Sequence, residues 1–60
     1  MKIGDTYKNY NELNGMFTYV IKKIDKEIIT MKLNFPCHWN VPPYITHFNI
    51  YSIQILLTKL

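Results

Sequence analysis

The chain has no alanine, no arginine, a single cysteine and only two glycines among its 60 residues. With alanine missing and isoleucine, threonine, tyrosine and phenylalanine plentiful, the composition leans away from helix and toward strand. Without arginine the chain lacks the planar fork that grips phosphates and base edges in bidentate fashion, so basic contacts fall to its seven lysines. One cysteine, Cys37, allows no internal disulfide and cannot supply a cysteine-rich zinc site, and no cofactor is expected. No apolar run approaches the roughly 18 residues of a membrane span. The opening Met1-Lys2-Ile3-Gly4-Asp5 lacks the apolar core of a secretory leader, so the expectation is a cytoplasmic protein with no membrane partner.

Size adds a further constraint. A chain this short buries only about 60% of the surface its unfolded form exposes, and domains of this size usually need a staple. With disulfide and metal set aside, self-association is the staple that remains, most simply as a two-fold homodimer. Seven basic against four acidic residues give a net charge of +3, enough to keep a small domain soluble and weakly inclined to acidic partners.

The most legible pattern runs from Phe17 to Leu33. Phe17, Tyr19 and Ile21 share one parity and Ile29, Met31 and Leu33 another, with mostly threonine, lysine and valine between them. Two such runs meeting at Asp25-Lys26 read as a β-hairpin. The step from Ile21 to Ile24 breaks the alternation by one residue, and a bulge at Lys22-Lys23 would restore it. Upstream, Ile3 to Tyr7 reads as a short first strand, Asn11-Glu12-Leu13 as a loop and Asn14-Gly15 as a turn. Three prolines make Asn34 to Pro43 irregular. Pro43 to Phe48 reads as a short helix or 3-10 turn, since proline is tolerated at a first helical position. In the tail from Ile50 to Leu60, Tyr51, Ile53, Ile55 and Leu57 alternate as in a strand, although Ile50, Ile53, Leu57 and Leu60 would also align on one helical face. The whole reads as one domain over residues 1–60: all-β or mostly β, a small bent sheet or partly open barrel of four to five strands.

The order Ile3-Gly4-Asp5 with Tyr7, then Tyr19-Val20-Ile21 with Ile24-Asp25, then Ile28-Ile29 with Met31, then Val41-Pro42, Phe48 and Ile53, resembles the small SH3-like barrel proteins carried by phages and prophages. The resemblance implies a strongly bent five-stranded barrel without catalytic activity. The residues of AT-rich codons that dominate the composition fit a low-GC bacterium or one of its mobile elements, and a phage protein that blocks a host defence protein is the concrete form of that reading. The length of the Asn34 to Pro43 loop and the apolar tail past Ile53 depart from the pattern.

Residue chemistry points the same way. Cys37-His38 juxtaposes a thiol and an imidazole, but adjacent side chains on extended backbone point to opposite sides, and no third group completes a triad. Cys37, His38 and His47 match no compact metal spacing. Protein binding is the favoured class, because apolar side chains exceed what the inward parity can hold. Trp39, Tyr44, Phe35 and Ile28 are the expected partner contacts, with Trp39 as anchor since interface hot spots favour Trp and Tyr; the equal alternative is that Trp39 plugs the open end of its own barrel. Self-association is expected through the apolar tail, Ile53, Ile55, Leu56, Leu57 and Leu60, or through an open strand edge. The alternative is a nucleic-acid-binding small barrel in which Lys22, Lys23 and Lys32, with Tyr10, touch single-stranded or duplex nucleic acid.

Overall fold

The computed structural model describes residues 1–60 as one five-stranded antiparallel sheet with a single short helix on it. In chain order the elements are β1 (Thr6–Asn11), β2 (Gly15–Asp25), β3 (Ile28–Asn34), a 3-10 turn (Cys37–Trp39), β4 (Tyr44–Asn49), α1 (Ile50–Leu56) and β5 (Thr58–Lys59). The strands lie in the order β4-β3-β2-β1-β5, and the sheet is not closed. This mostly β architecture is the expected class, and it is compatible with a small, partly open barrel. No helix is long and apolar enough to cross a membrane.

The hairpin of β2 and β3 carries the fold. Tyr19 faces Leu33 and Ile21 faces Met31, after which the register slips by one so that Lys23 faces Thr30 and Ile24 faces Ile29. Lys22 is therefore the extra residue of a β-bulge, which keeps Ile24 on the same face as Ile21 and sharpens the local twist. Asp25 pairs with Ile28, so the two turn residues are Lys26 and Glu27 rather than Asp25 and Lys26. Lys26 takes φ 56, as the first position of a primed hairpin turn demands.

Three elements differ from the sequence expectation. The first strand is Thr6–Asn11 and not Ile3 to Tyr7, because the bend at Gly4, φ 94, keeps Ile3 to Asp5 out of the sheet while the polar run from Lys8 to Asn11 pairs with Thr18 to Gly15. Residues 44–49 form strand β4 instead of a helical turn, because Tyr44, Thr46 and Phe48 pair with Leu33, Met31 and Ile29 along the free side of β3. Residues 50–56 form a helix instead of a strand. Only the helical spacing of the tail matches a buried face: Ile53 is wholly buried, Leu57 nearly so and Ile50 packs beside them, while Ile55 is 81% exposed. The Asn49 side chain accepts a hydrogen bond from the Tyr51 N–H at 2.9 Å and caps the helix start. The Ile50 N–H donates to the Glu27 carbonyl at 2.8 Å, tying the helix to the hairpin turn.

A seven-residue helix has no stability of its own, so packing holds it in place. Ile53 and Leu57 seat on Tyr7, Ile21, Ile29 and Met31, with Tyr19 and Phe48 at the margin. Each fully buried aliphatic side chain contributes about 1.5–3 kcal/mol. At the far edge, β5 pairs Lys59 with Tyr7 and Thr58 with Lys8. Lys59 Nζ lies 3.5 Å from Asp5 Oδ2, which also accepts from the Lys2 N–H at 3.1 Å. Desolvation works to raise the Asp5 carboxyl, but the Lys2 N–H, the Lys59 ammonium and the N-terminal charge outweigh it and hold the pKa below the ordinary carboxylate value.

The Asp5–Lys59 ion pair thus clasps β5 to the segment before β1. Ile53→Ala should cost about 2–5 kcal/mol. Since a core of this size supplies at most about 3–5 kcal/mol, the variant should lose cooperative thermal melting by circular dichroism. Because the folded-state pKa of Asp5 is depressed, its stabilising contribution is complete above the unfolded pKa and disappears as pH falls through the folded value. Asp5→Asn should therefore lower the melting temperature at pH 7 and flatten its decline in acid; identical acid limbs for both proteins would remove the clasp from the account.

Candidate functional site: an aromatic patch at the open end of the sheet

Only eight of 60 residues are buried, and the seven apolar ones among them are outnumbered by exposed large hydrophobic side chains. The cause is geometric: α1 covers the end of the inner face near the hairpin turn, and the other end is covered only in part, by the connection from β3 to β4. There the inward parity continues through Phe17 on β2 and Phe35 just beyond β3, which lie one step past the last β2–β3 pair, Thr18 with Asn34.

The connection from β3 to β4 completes this patch. Pro36 is buried, and the Trp39 N–H donates to its carbonyl at 3.0 Å, closing the 3-10 turn. Asn40, at φ 54, ends the turn by donating to the Cys37 carbonyl at 3.3 Å. The turn folds Trp39 back over the sheet and Val41-Pro42-Pro43 leads to Tyr44. Phe35 then lies at the centre of four rings: Trp39 stacks on it at 5.7 Å with 22° between planes, and Tyr44 at 5.6 Å with 29°. Phe17 meets Phe35 edge-on at 5.8 Å and Trp39 at 5.2 Å. Such aromatic pairs each add about 0.5–1.5 kcal/mol beyond the area they bury. Trp39 remains 37% exposed and Tyr44 53%.

Tyr19 joins the patch to the aliphatic core through an edge-on contact with Phe48 at 5.5 Å. Burial raises its phenol pKa, and the neighbouring Tyr44 phenol adds to the effect. The backbone positions that flank the patch, Asn9 opposite Phe17 and Asn11 opposite Gly15, are uncharged.

The four side chains expected at a partner surface are thus divided. Trp39, Phe35 and Tyr44 come together, while Ile28 lies at the opposite end of the sheet, on the outer face and paired with Asn49. Phe17, which shares its parity with Tyr19 and Ile21, is the additional member of the patch. The tail residues are divided as well: Ile53 and Leu57 fill the chain's own core and offer nothing to a second molecule, whereas Ile55, Leu56 and Leu60 are exposed. Lys23 and Lys32 stand on the outer face opposite Thr30 and between Val20 and Ile45, Tyr10 faces Met16 on that same face, and Lys22 is the bulged residue. The lysines and the stacked rings consequently occupy opposite sides of the sheet.

Cys37 and His38 are both exposed, on a shallow groove lined by Gly15, Met16, Thr18, Phe35 and Pro36 that includes no carboxylate. His47 is engaged on the outer face, where its Nδ1 lies 3.0 Å from Thr30 Oγ1. No three histidine, cysteine or acidic side chains come together in a metal-binding group. No protein-family model, curated protein or solved structure matches the chain.

Gly15 positions the loop that bears Trp39. At φ 97 it adopts a conformation that other residues resist, and a Cβ there would meet His38 Cε1 and Pro36 Cγ at 3.2 Å each. Gly15→Ala should cost about 1–2 kcal/mol from the backbone alone and push the 36–39 turn off the sheet. The emission of the single tryptophan, Trp39, should shift to the red; unchanged emission and melting temperature would show that Gly15 does not set the loop.

Proposed function

We propose that this chain is a non-catalytic protein-binding module whose contact surface is the aromatic patch of Trp39, Phe35, Tyr44 and Phe17. The observation that carries the reading is the half-exposed stack at the partly covered end of the inner face. Rings that brace one another lose their side-chain freedom on folding, so little remains to be lost on binding. Trp and Tyr in that setting are the residue types that dominate interface energetics. In the concrete form given by the phage-protein resemblance, the patch occludes a surface of a host protein.

The nucleic-acid alternative draws less support from the geometry. Binding to single strands combines stacking rings with a cationic track along one groove. Here Lys23 and Lys32 project from the face opposite the stack.

Affinity capture from a bacterial lysate, followed by titration of the recovered protein, tests the proposal. Trp39→Ala and Tyr44→Ala should each weaken binding by tenfold or more, about 1.4 kcal/mol, while retaining the circular dichroism of the parent. Titration of the captured partner should also shift Trp39 fluorescence. Binding untouched by both substitutions would defeat the proposal, as would retention of DNA or RNA with an affinity that falls steeply with salt.

A further inference from the structure

The two edges of the sheet are unequal. One is β5, two residues long and carrying Lys59; the other is β4, six residues long and free along its outer side. Natural edge strands are protected by lysine, proline, a bulge or extreme shortness, because their unpaired N–H and C=O groups will pair with another strand. Between Tyr44 and Asn49 none of these devices is present, and β4 is the only strand without a lysine, aspartate or glutamate.

The ladder identifies which groups are free. The Ile50 N–H donates to the Glu27 carbonyl, and because hydrogen-bonded pairs alternate along an antiparallel ladder, the next ones are Phe48 with Ile29, Thr46 with Met31 and Tyr44 with Leu33. The backbone groups of Ile45 and His47 consequently point away from β3, toward solvent.

We infer that the occupant of this edge is β4 of a second copy, antiparallel, with the two-fold axis at Thr46. In this register Ile45 of each chain exchanges both backbone hydrogen bonds with His47 of the other, giving four bonds about the axis. Tyr44 of each chain falls opposite Phe48 of the other on the inner face, in the pair type where side chains approach most closely. The half-exposed Tyr44 gains an aromatic neighbour, and Ile45, 51% exposed, gains cover on the outer face. The next register, centred on His47, sets two histidines side by side and loses the Tyr44–Phe48 pairs. Although each copy has net charge +3, the only charged residue of the neighbouring strand β3 is Lys32, so the seam itself is neutral. The result is a continuous ten-stranded sheet with a helix on each half.

Cross-linking reads the register directly. In a Cys37→Ser background, Thr46→Cys should give a covalent dimer under mild oxidation, since residues at the centre of a non-hydrogen-bonded pair lie within disulfide reach. Ile45→Cys and His47→Cys, which meet each other's positions and not their own, should cross-link at least tenfold more slowly. The parent protein should sediment at twice 7.2 kDa. Ile45→Pro removes only an outward N–H and should return the monomer mass with its circular dichroism retained; Ile45→Lys, which keeps the N–H and adds charge to the seam, should do the same if the proline variant misfolds. A 7.2 kDa species at concentrations on the order of 1 mM, a dimer that survives both substitutions, or cross-linking at position 46 no faster than the controls would overturn the inference. Because Ile45→Pro leaves Trp39 in place, partner capture by the monomeric variant separates this result from the reading of the aromatic patch.

Discussion

The seating of Ile53 and Leu57 on Ile21, Ile29 and Met31 is the contact on which the rest of the molecule depends. A single sheet cannot bury a face against nothing, and the only element available to cover this one is a helix of seven residues. Two turns of helix reach across the aliphatic end of the inner face and no farther. The molecule is correspondingly thin, 34 × 21 × 16 Å, and its far end relies on rings packed against one another. Core and patch are thus two halves of one face, distinguished by whether the helix reaches them.

That division explains how one small chain holds apolar side chains both inside and out. The aliphatic half supplies cohesion, and the aromatic half, fixed by Gly15, Pro36 and the 3-10 turn, supplies a rigid surface with uncharged neighbours. Lys8, Lys23 and Lys32 project from the outer face, while Lys59 stands beside Tyr7 at the β5 edge, far from the rings, so the surroundings of the patch differ in chemistry from the outer face. Position on the sheet, more than residue type, decides which apolar groups remain available to other molecules.

The parts of this architecture that local periodicity specifies were readable from the residues. The β2–β3 hairpin and its bulge follow from parity between Phe17 and Leu33, because a strand with one buried face must alternate. The tail was ambiguous for a physical reason: Ile50 to Leu60 satisfies both a two-residue and a helical period, and the choice falls to what Ile53 and Leu57 can reach. Strand β4 was obscured by the prolines before it and by Thr46, a polar residue at the centre of its inward parity. Trp39, Phe35 and Tyr44 stood out singly as aromatic residues around a proline-rich loop. That they cluster with Phe17, and that Ile28 stays apart, depends on long-range register that no local pattern encodes.

Lys22 illustrates how pattern and shape are specified separately. Because it is the one residue without a cross-strand partner, its removal would leave Ile21, Lys23 and Ile24 alternating as an ordinary strand, with every side chain still on its proper face. What would change is curvature. A straightened β2 would hold its neighbours flatter and lift the sheet away from the helix, so a one-codon deletion that is silent in hydrophobic pattern would open the molecule like a loosened hinge.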